Sequence, residues 1–462
     1  MFKTFFLLEL KSALKQPMIY IFLGLLTLLT FAATSSPNVS IGGSLGSSVY
    51  ANAPYIITRY TAIMSIFGLL MAVAFFNNAA LRDHNNNFNE ILFSTRLHKS
   101  GYFFGRFFGA LVLATIPLLG IFIGVILASI IAPPMNWLAA DRFGDFYFMT
   151  FVNNYLLFIL PNMFFAGAII FAMSSKWKST VISFVGALII IVGYIAAGSL
   201  ISDLDNQTMA ALTDIFGIRT YGIVSKYYTP AEKNTLIASF SGLLLYNRLI
   251  WVSVGSLILG VTYATFSFKE KNKKVKVQKV KETDTKVVFS LPKLNPTHTQ
   301  KTEWLQFKSF FYTNFISIAK SVTFKIMLLF SLIILATDLI GGFEYYGLQS
   351  YPLTYKIIDI IADASTIFIV IILVFFSGEL VWRDRENKIN EVIDATSHTS
   401  FISLIAKALS LVSITSLLYF FFVFCGIIYQ LANGYTRIEL GVYFTDFFFT
   451  SFPNYVVWSG VM

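Results

Sequence analysis

The sequence predicts an all-α polytopic membrane protein made of two repeated six-span helical bundles, the second incomplete. Three observations predict it. The chain is 56% apolar and 13% charged, with a mean hydropathy of +0.70, whereas a soluble globular domain carries about 25% charged residues. Its apolar residues gather into runs of roughly 17–25, enough for a helix to cross a bilayer core about 30 Å thick. A short charged island between two such runs also occurs twice. Arg82-Asp83-His84-Asn85-Asn86-Asn87-Phe88-Asn89-Glu90-Ile91-Leu92 returns as Arg383-Asp384-Arg385-Glu386-Asn387-Lys388-Ile389-Asn390-Glu391-Val392-Ile393, at a constant shift of 301 residues.

In chain order, Phe2, Phe6, Leu10, Ala13 and Leu14 share one side of an N-terminal helix, with Lys11 and Lys15 opposite. That pattern suits a helix lying along a membrane surface, although Glu9 interrupts it. Span one is expected at Met18–Ala33, followed by an uncharged Gly/Ser/Pro-rich loop from Ser35 to Pro54. Spans two and three fall at Tyr60–Ala79 and Phe107–Ile131, with the first island between them and Pro133-Pro134 closing the third. Spans four, five and six fall at Phe151–Met173, Val181–Ile201 and Leu249–Phe268. The polar stretch Ser202–Arg248 is long enough to hold short helices of its own.

Residues 1–268 thus form the first unit, and 269–305 a lysine-dense linker whose low apolar content disfavours a packed core. The second unit, 306–462, begins again with Phe307-Lys308-Ser309-Phe310-Phe311, which repeats Phe2-Lys3-Thr4-Phe5-Phe6 at a shift of 305. Spans seven, eight and nine fall at Ile326–Ile340, Thr366–Leu380 and Leu404–Tyr429, and Lys407 matches Arg106 at a shift of 301. Pro453-Asn454 echoes Pro161-Asn162 of span four at a shift of 292, and Trp458–Met462 falls inside what would be span ten. The sequence therefore reads as an internal duplication, and as part of a longer chain.

Basic residues set the expected orientation. Of 34 Lys and Arg, 26 fall on the side of the N-terminus, the linker and both islands, against 8 on the other side. The positive-inside bias puts the first group in the cytoplasm. This pattern also accounts for the net charge of +10 without nucleic acid.

Several chemistries find no motif. There is no Gly-x-x-x-x-Gly-Lys-Ser/Thr loop for ATP and no His-Glu-x-x-His zinc pair. His84, His98, His298 and His398 lie in polar segments, and Cys425, the single cysteine, sits in an apolar run as a packing residue. The expected span centres carry no ionisable residue, whereas ion-coupled carriers and proton pumps keep such residues on their pathway.

Within each island, Arg, Asp, Asn, Asn and Glu recur in step: Arg82, Asp83, Asn86, Asn89 and Glu90 match Arg383, Asp384, Asn387, Asn390 and Glu391. Phe88/Ile389, Ile91/Val392 and Leu92/Ile393 are spaced as one face of a helix. On a continuous helix Asp83 and Glu90, seven apart, would share a side and stand at the surface.

The Arg-Asp-x-x-Asn-x-x-Asn-Glu island, followed by Ser94-Thr95 and the Tyr102–Gly109 run, resembles the loop between spans two and three of ABC type-2 permeases. The amphipathic start and the six-span unit resemble that family too, once per half. The resemblance implies that each island is a coupling helix, docked through Arg82, Asp83, Glu90, Arg383, Asp384 and Glu391 into a separate ATP-binding ATPase subunit. It implies a multi-pass permease of the bacterial inner membrane, acting as an exporter and not itself an enzyme. Some long members of the family continue into a zinc aminopeptidase domain. Two alternatives stand beside this reading: a membrane scaffold or sensor using the islands to dock other proteins, and an ion-coupled carrier, which the bare spans disfavour.

Overall fold

The computed structural model describes residues 1–36, 39, 41, 48–200, 207–268, 300–345, 348–386, 389–394 and 399–461. The chain forms two compact units, Met1–Lys269 and Glu270–Met462. Among the described residues, eight helices are long and apolar enough to cross a membrane, and the protein is a polytopic helical membrane protein. The lysine-dense linker lies outside the described residues up to position 299.

In unit 1, α1 (Phe2–Ala13) leads into α2 (Pro17–Ser35), and α3 (Pro54–Asn85) follows. Pro17 and Pro54 each open a helix, where the missing N–H costs nothing and the fixed φ already suits the turn. After the short α4 (Asn89–Ser94) comes a long rod in two parts, α5 (Lys99–Thr115) and α6 (Gly120–Ile131). A 3-10 turn at Pro117–Leu119 joins them, because proline cannot donate the helical hydrogen bond at that point. Next come α7 (Phe148–Asn154), a π turn at Tyr155–Ile159, α8 (Leu160–Trp177) and α9 (Thr180–Leu200). The apolar stretch of α9, Thr180–Ile195, falls short of the eight long spans. The expected polar stretch holds α10 (Gln207–Thr213), α11 (Ile218–Val224) and α12 (Pro230–Thr235), and α13 (Gly242–Thr265) closes the unit.

The centre of unit 1 is aromatic. Phe76 of α3, Phe103 and Phe107 of α5 and Phe171 of α8 meet at ring separations of 5.2–5.6 Å, a range typical of favourable edge and offset contacts. α1 and α2 run alongside the α5–α6 rod, seated on glycines. A Cβ at Gly105 would stand 2.8 Å from Phe5 Cβ, and one at Gly109 2.7 Å from Glu9 Cβ. Higher up, a Cβ at Gly120 would stand 2.5 Å from the Leu23 carbonyl oxygen. Glycines at every fourth position let two backbones approach, which drives helix association where no hydrophobic effect operates between spans.

This seating corrects the expected surface face of α1. Its inward residues are Phe5, Glu9 and Ala13, while Phe2 and Leu14 are exposed. Glu9 is the buried centre of the contact rather than an interruption of it.

Unit 2 contains α14 (Gln300–Lys320), α15 (Val322–Gly341), a two-residue antiparallel β pair (Glu344–Tyr345 with Leu348–Gln349) and α16 (Thr354–Glu386). Then follow α17 (Asn390–Asp394), α18 (Ser400–Ala432), α19 (Leu440–Asp446), a π turn at Phe447–Ser451, and α20 (Phe452–Val461). The observed helices outrun the expected spans at their ends. Arg106, Arg248, Asp359 and Asp363 therefore lie inside helices, each within the first three turns.

Candidate functional site

Each island is broken where a continuous helix was expected. α3 ends in a Schellman turn: the Phe88 N–H donates to the Asp83 carbonyl at 2.8 Å and the Asn87 N–H to that of His84 at 3.0 Å. Asn87 takes the left-handed conformation at φ 53°, which asparagine tolerates better than most side chains. The chain then restarts as α4. Asp83 and Glu90 therefore sit on separate helices and do not share a face. In unit 2 the Ile389 N–H donates to the Asp384 carbonyl at 3.0 Å, the same six-to-one bond, between α16 and α17. Asn387 lies outside the described residues.

Below the first island the charged residues turn inward. Arg106 of α5 bonds both Glu9 of α1 and Asp83 of α3, and all three are buried. Tyr102 donates its hydroxyl to Asp83 at 2.8 Å. Arg82 donates to Ser12 at 2.6 Å and approaches Glu9 at 3.5 Å. Among the described residues Arg106 Nε has no hydrogen-bond partner; its guanidinium carbon lies 5.6 and 5.4 Å from the ring centres of Phe5 and Tyr102, within cation–π range. Two arginines face two carboxylates, so the node is charge-balanced. Asp83, expected at the surface, is instead held inside by Arg106, because a buried carboxylate needs a cation and donors around it.

Unit 2 holds a polar cluster at the matching sequence positions, with weaker parts. Arg383 donates to Asn314 at 2.9 Å and also bonds Ser317, the positions that match Glu9 and Ser12 at a shift of 305. Lys407 stands 3.3 Å from Asp384, with both side chains more than a fifth exposed. Two cations here face one carboxylate, because Asn314 stands where unit 1 has Glu9.

Above the nodes, the two short helices offer the solvent side a mixed surface. Asn86 and Glu90 are exposed, as are Phe88 and Ile91, while Asn89 is buried and Leu92 half-buried. In unit 2 Glu391 and Ile389 are exposed and Asn390 is half-buried. The islands thus divide: Arg82, Asp83, Arg383 and Asp384 anchor, while Glu90 and Glu391 face outward beside apolar residues.

A second polar cluster lies deeper in unit 1. Asn162 accepts from Arg248 at 2.7 Å and donates to Ser65 at 2.8 Å and to the Phe216 carbonyl at 3.1 Å. Asn247 accepts from Arg248 Nε at 2.8 Å and donates to the Ala211 and Asp214 carbonyls. Asp214 in turn accepts from the Thr220 N–H at 2.9 Å. Ser65 and Asp83 are 18 residues apart on α3, about 27 Å at the helical rise. Pro161 follows the π turn at Tyr155–Ile159, and Pro453 follows the one at Phe447–Ser451 by the same interval. A proline ring displaces the carbonyl four residues earlier, and the wider π turn absorbs that displacement. The helices bend their hydrogen bonding at Pro161 and Pro453 without breaking.

Sequence reasoning missed the partner of the first island. Glu9, Asp83 and Arg106 come from three elements with no shared periodicity. The signal that could have found them is the Gly101, Gly105, Gly109 spacing around Arg106, which marks a helix seat. Comparison with known proteins brings no match: no family model, curated protein or solved structure aligns with the chain.

Proposed function

We propose that the chain is the permease part of an ATP-driven transporter of the ABC type-2 kind, an exporter of the bacterial inner membrane with its N-terminus in the cytoplasm. Its two halves are copies of one unit. The observation that carries this reading is the paired construction of the islands. In each half a short helix hangs by a six-to-one turn from a long span, with its glutamate outward. In each half the Arg beneath it is tied to the helix that opens the unit, and the Asp to the cation on the helix after the island. The matched π turns before Pro161 and Pro453 support the duplication.

Such an arrangement transmits force. A push on α4 or α17 passes through a turn too short to flex far into α3 or α16. The node then shares it with α1 and α5, or with α14 and α18. The ATP would be bound by the partner subunit, docked on Glu90, Glu391 and the exposed Phe88, Ile91 and Ile389. Losing charge-assisted contacts that a partner buries costs about 2–5 kcal/mol, whereas an exposed substitution changes stability by less than about 0.5 kcal/mol. The test is Glu90→Ala with Glu391→Ala in the full chain, expressed in its own host and purified with whatever P-loop ATPase accompanies the unaltered protein. The expected result is unchanged melting with lost co-purification or lost substrate-stimulated ATP turnover. A folded variant with normal association and coupling refutes the docking role. A docked partner without a P-loop would favour the scaffold alternative.

A further inference from the structure

Unit 1 closes the seam between α2 and α6 with small residues. α2 presents Thr27, Thr30 and Thr34, whose hydroxyls donate back to the Leu23, Leu26 and Thr30 carbonyls at 2.7, 2.7 and 2.8 Å. These side chains are therefore satisfied within their own helix. α6 presents Gly120, Gly124 and Ala128, and a Cβ at Gly124 would overlap the Thr30 hydroxyl. The two helices are in backbone contact there.

In unit 2 the matched positions are Leu332, Leu335 and Leu339 on α15 and Phe421, Cys425 and Tyr429 on α18, at shifts of 305 and 301. All six are larger. Bulk on both sides of a seam that needs close approach holds the helices apart. The glycine of α18 at this level, Gly426, faces α16 instead, where a Cβ would stand 2.6 Å from Ile357 Cγ2. Between α15 and α18 lies a groove of about 420 Å³, lined by Leu332, Leu335, Ala336, Leu339, Cys425 and Tyr429 among others. Ile340 and Ile428, both half or more exposed, form part of its rim.

We propose that this groove is a binding site for one hydrocarbon chain of a bilayer lipid. Both walls are helices apolar and long enough to cross the membrane, so the groove runs along segments at the depth of the bilayer's hydrocarbon chains. The lining offers almost only carbon, and a polar ligand would lose its water without gaining partners. A protein helix, about 10–12 Å across, would bury only about one turn in this volume, too little to hold it by itself. A single acyl chain is thin enough to lie along the groove, and the volume is in the range of ligand sites, about 300–1,000 Å³. The groove itself stands without the duplication; only the comparison with the closed seam of unit 1 rests on it.

The test uses the full chain in phosphatidylcholine bilayers containing a trace of phosphatidylcholine with a diazirine midway along one acyl chain. After photolysis the adducts are mapped by peptide mass spectrometry. The expected result is labelling at Leu332, Cys425 and Tyr429, the half-buried residues of the lining, several-fold above that at Leu329, which is exposed on the same α15. The matched unit 1 residues Thr30 and Thr34, in the closed seam, should be unlabelled. Ala336→Phe, which fills the groove from α15, should abolish the excess and leave Leu329 unchanged. Cys425→Phe fills it from α18 if the first variant does not insert. Groove labelling no greater than at Leu329, or unchanged by either filling variant that inserts, overturns the proposal. So does efficient oxidative Cys425–Cys425 cross-linking without groove labelling, which would place a second copy of the chain there.

Discussion

Removing one cation should distinguish the two polar nodes sharply. Arg106→Gln leaves Glu9 and Asp83 buried with only Arg82 in reach, 3.5 Å from Glu9. Removing one partner of a buried ion pair costs about 3–5 kcal/mol, because the remaining charge stays desolvated and unpaired. Lys407→Gln removes the matching cation from a pair more than a fifth exposed. Water replaces the lost partner there, and such pairs are worth at most about 1 kcal/mol. For units of this size about 2–4 °C of midpoint accompanies each kcal/mol. Arg106→Gln should therefore lower the thermal midpoint of unit 1 by about 6–20 °C, and Lys407→Gln that of unit 2 by less than about 4 °C. Intrinsic fluorescence of the purified full chain during a temperature ramp reads both. Neutralising the whole node, with Glu9→Gln, Asp83→Asn and Arg106→Gln together, should recover part of the loss, since no bare carboxylate remains. Equal shifts for Arg106→Gln and Lys407→Gln would refute the reasoning. So would a triple variant no more stable than Arg106→Gln.

Gly109→Leu should detach α1, since even a Cβ would stand 2.7 Å from Glu9 Cβ; overpacking costs about 1–3 kcal/mol, read as a lowered midpoint and faster proteolysis near residue 14. Asn162→Leu should destabilise unit 1 by about 1.5–3 kcal/mol, the worth of a hydrogen bond to a charged group, whereas an exposed change such as Asn86→Ala should be neutral in the same melt. With Cys425→Ser as background, Ser239→Cys should react with an impermeant maleimide on intact cells and Ser100→Cys only after permeabilisation; both reacting from one side would overturn the orientation.

The long helices were legible because hydropathy and length alone decide what crosses a bilayer, and all eight fall on expected spans. Their ends were less legible. Arg106 and Arg248 continue helices whose apolar runs begin later, because their charges are satisfied by partners distant in the sequence. Asp83 shows the limit of reading one segment alone. As part of a charged run it looked solvated, and only Arg106, 23 residues on, and Tyr102 draw it inside. Three successive asparagines, residues that suit a left-handed cap, signal the turn at Asn87, although the apolar spacing continues through them as one helix face. Glu9 interrupts the amphipathic pattern of the sequence, yet its buried position makes it the centre of the α1 contact. By contrast, the recurrence of Arg, Asp, Asn, Asn and Glu at a shift of 301 is a property of the sequence itself.

The most direct measurement of the central claim is site-directed cross-linking at the outward glutamates. In a Cys425→Ser background, Glu90→Cys and Glu391→Cys are treated separately in native membranes with a short bifunctional maleimide, and the adducts are identified by mass spectrometry. The account predicts that both positions capture the same P-loop ATPase, and that Ser239→Cys, placed on the opposite side by the charge count, captures none. Adducts at neither position, or only with proteins lacking a P-loop, would contradict it.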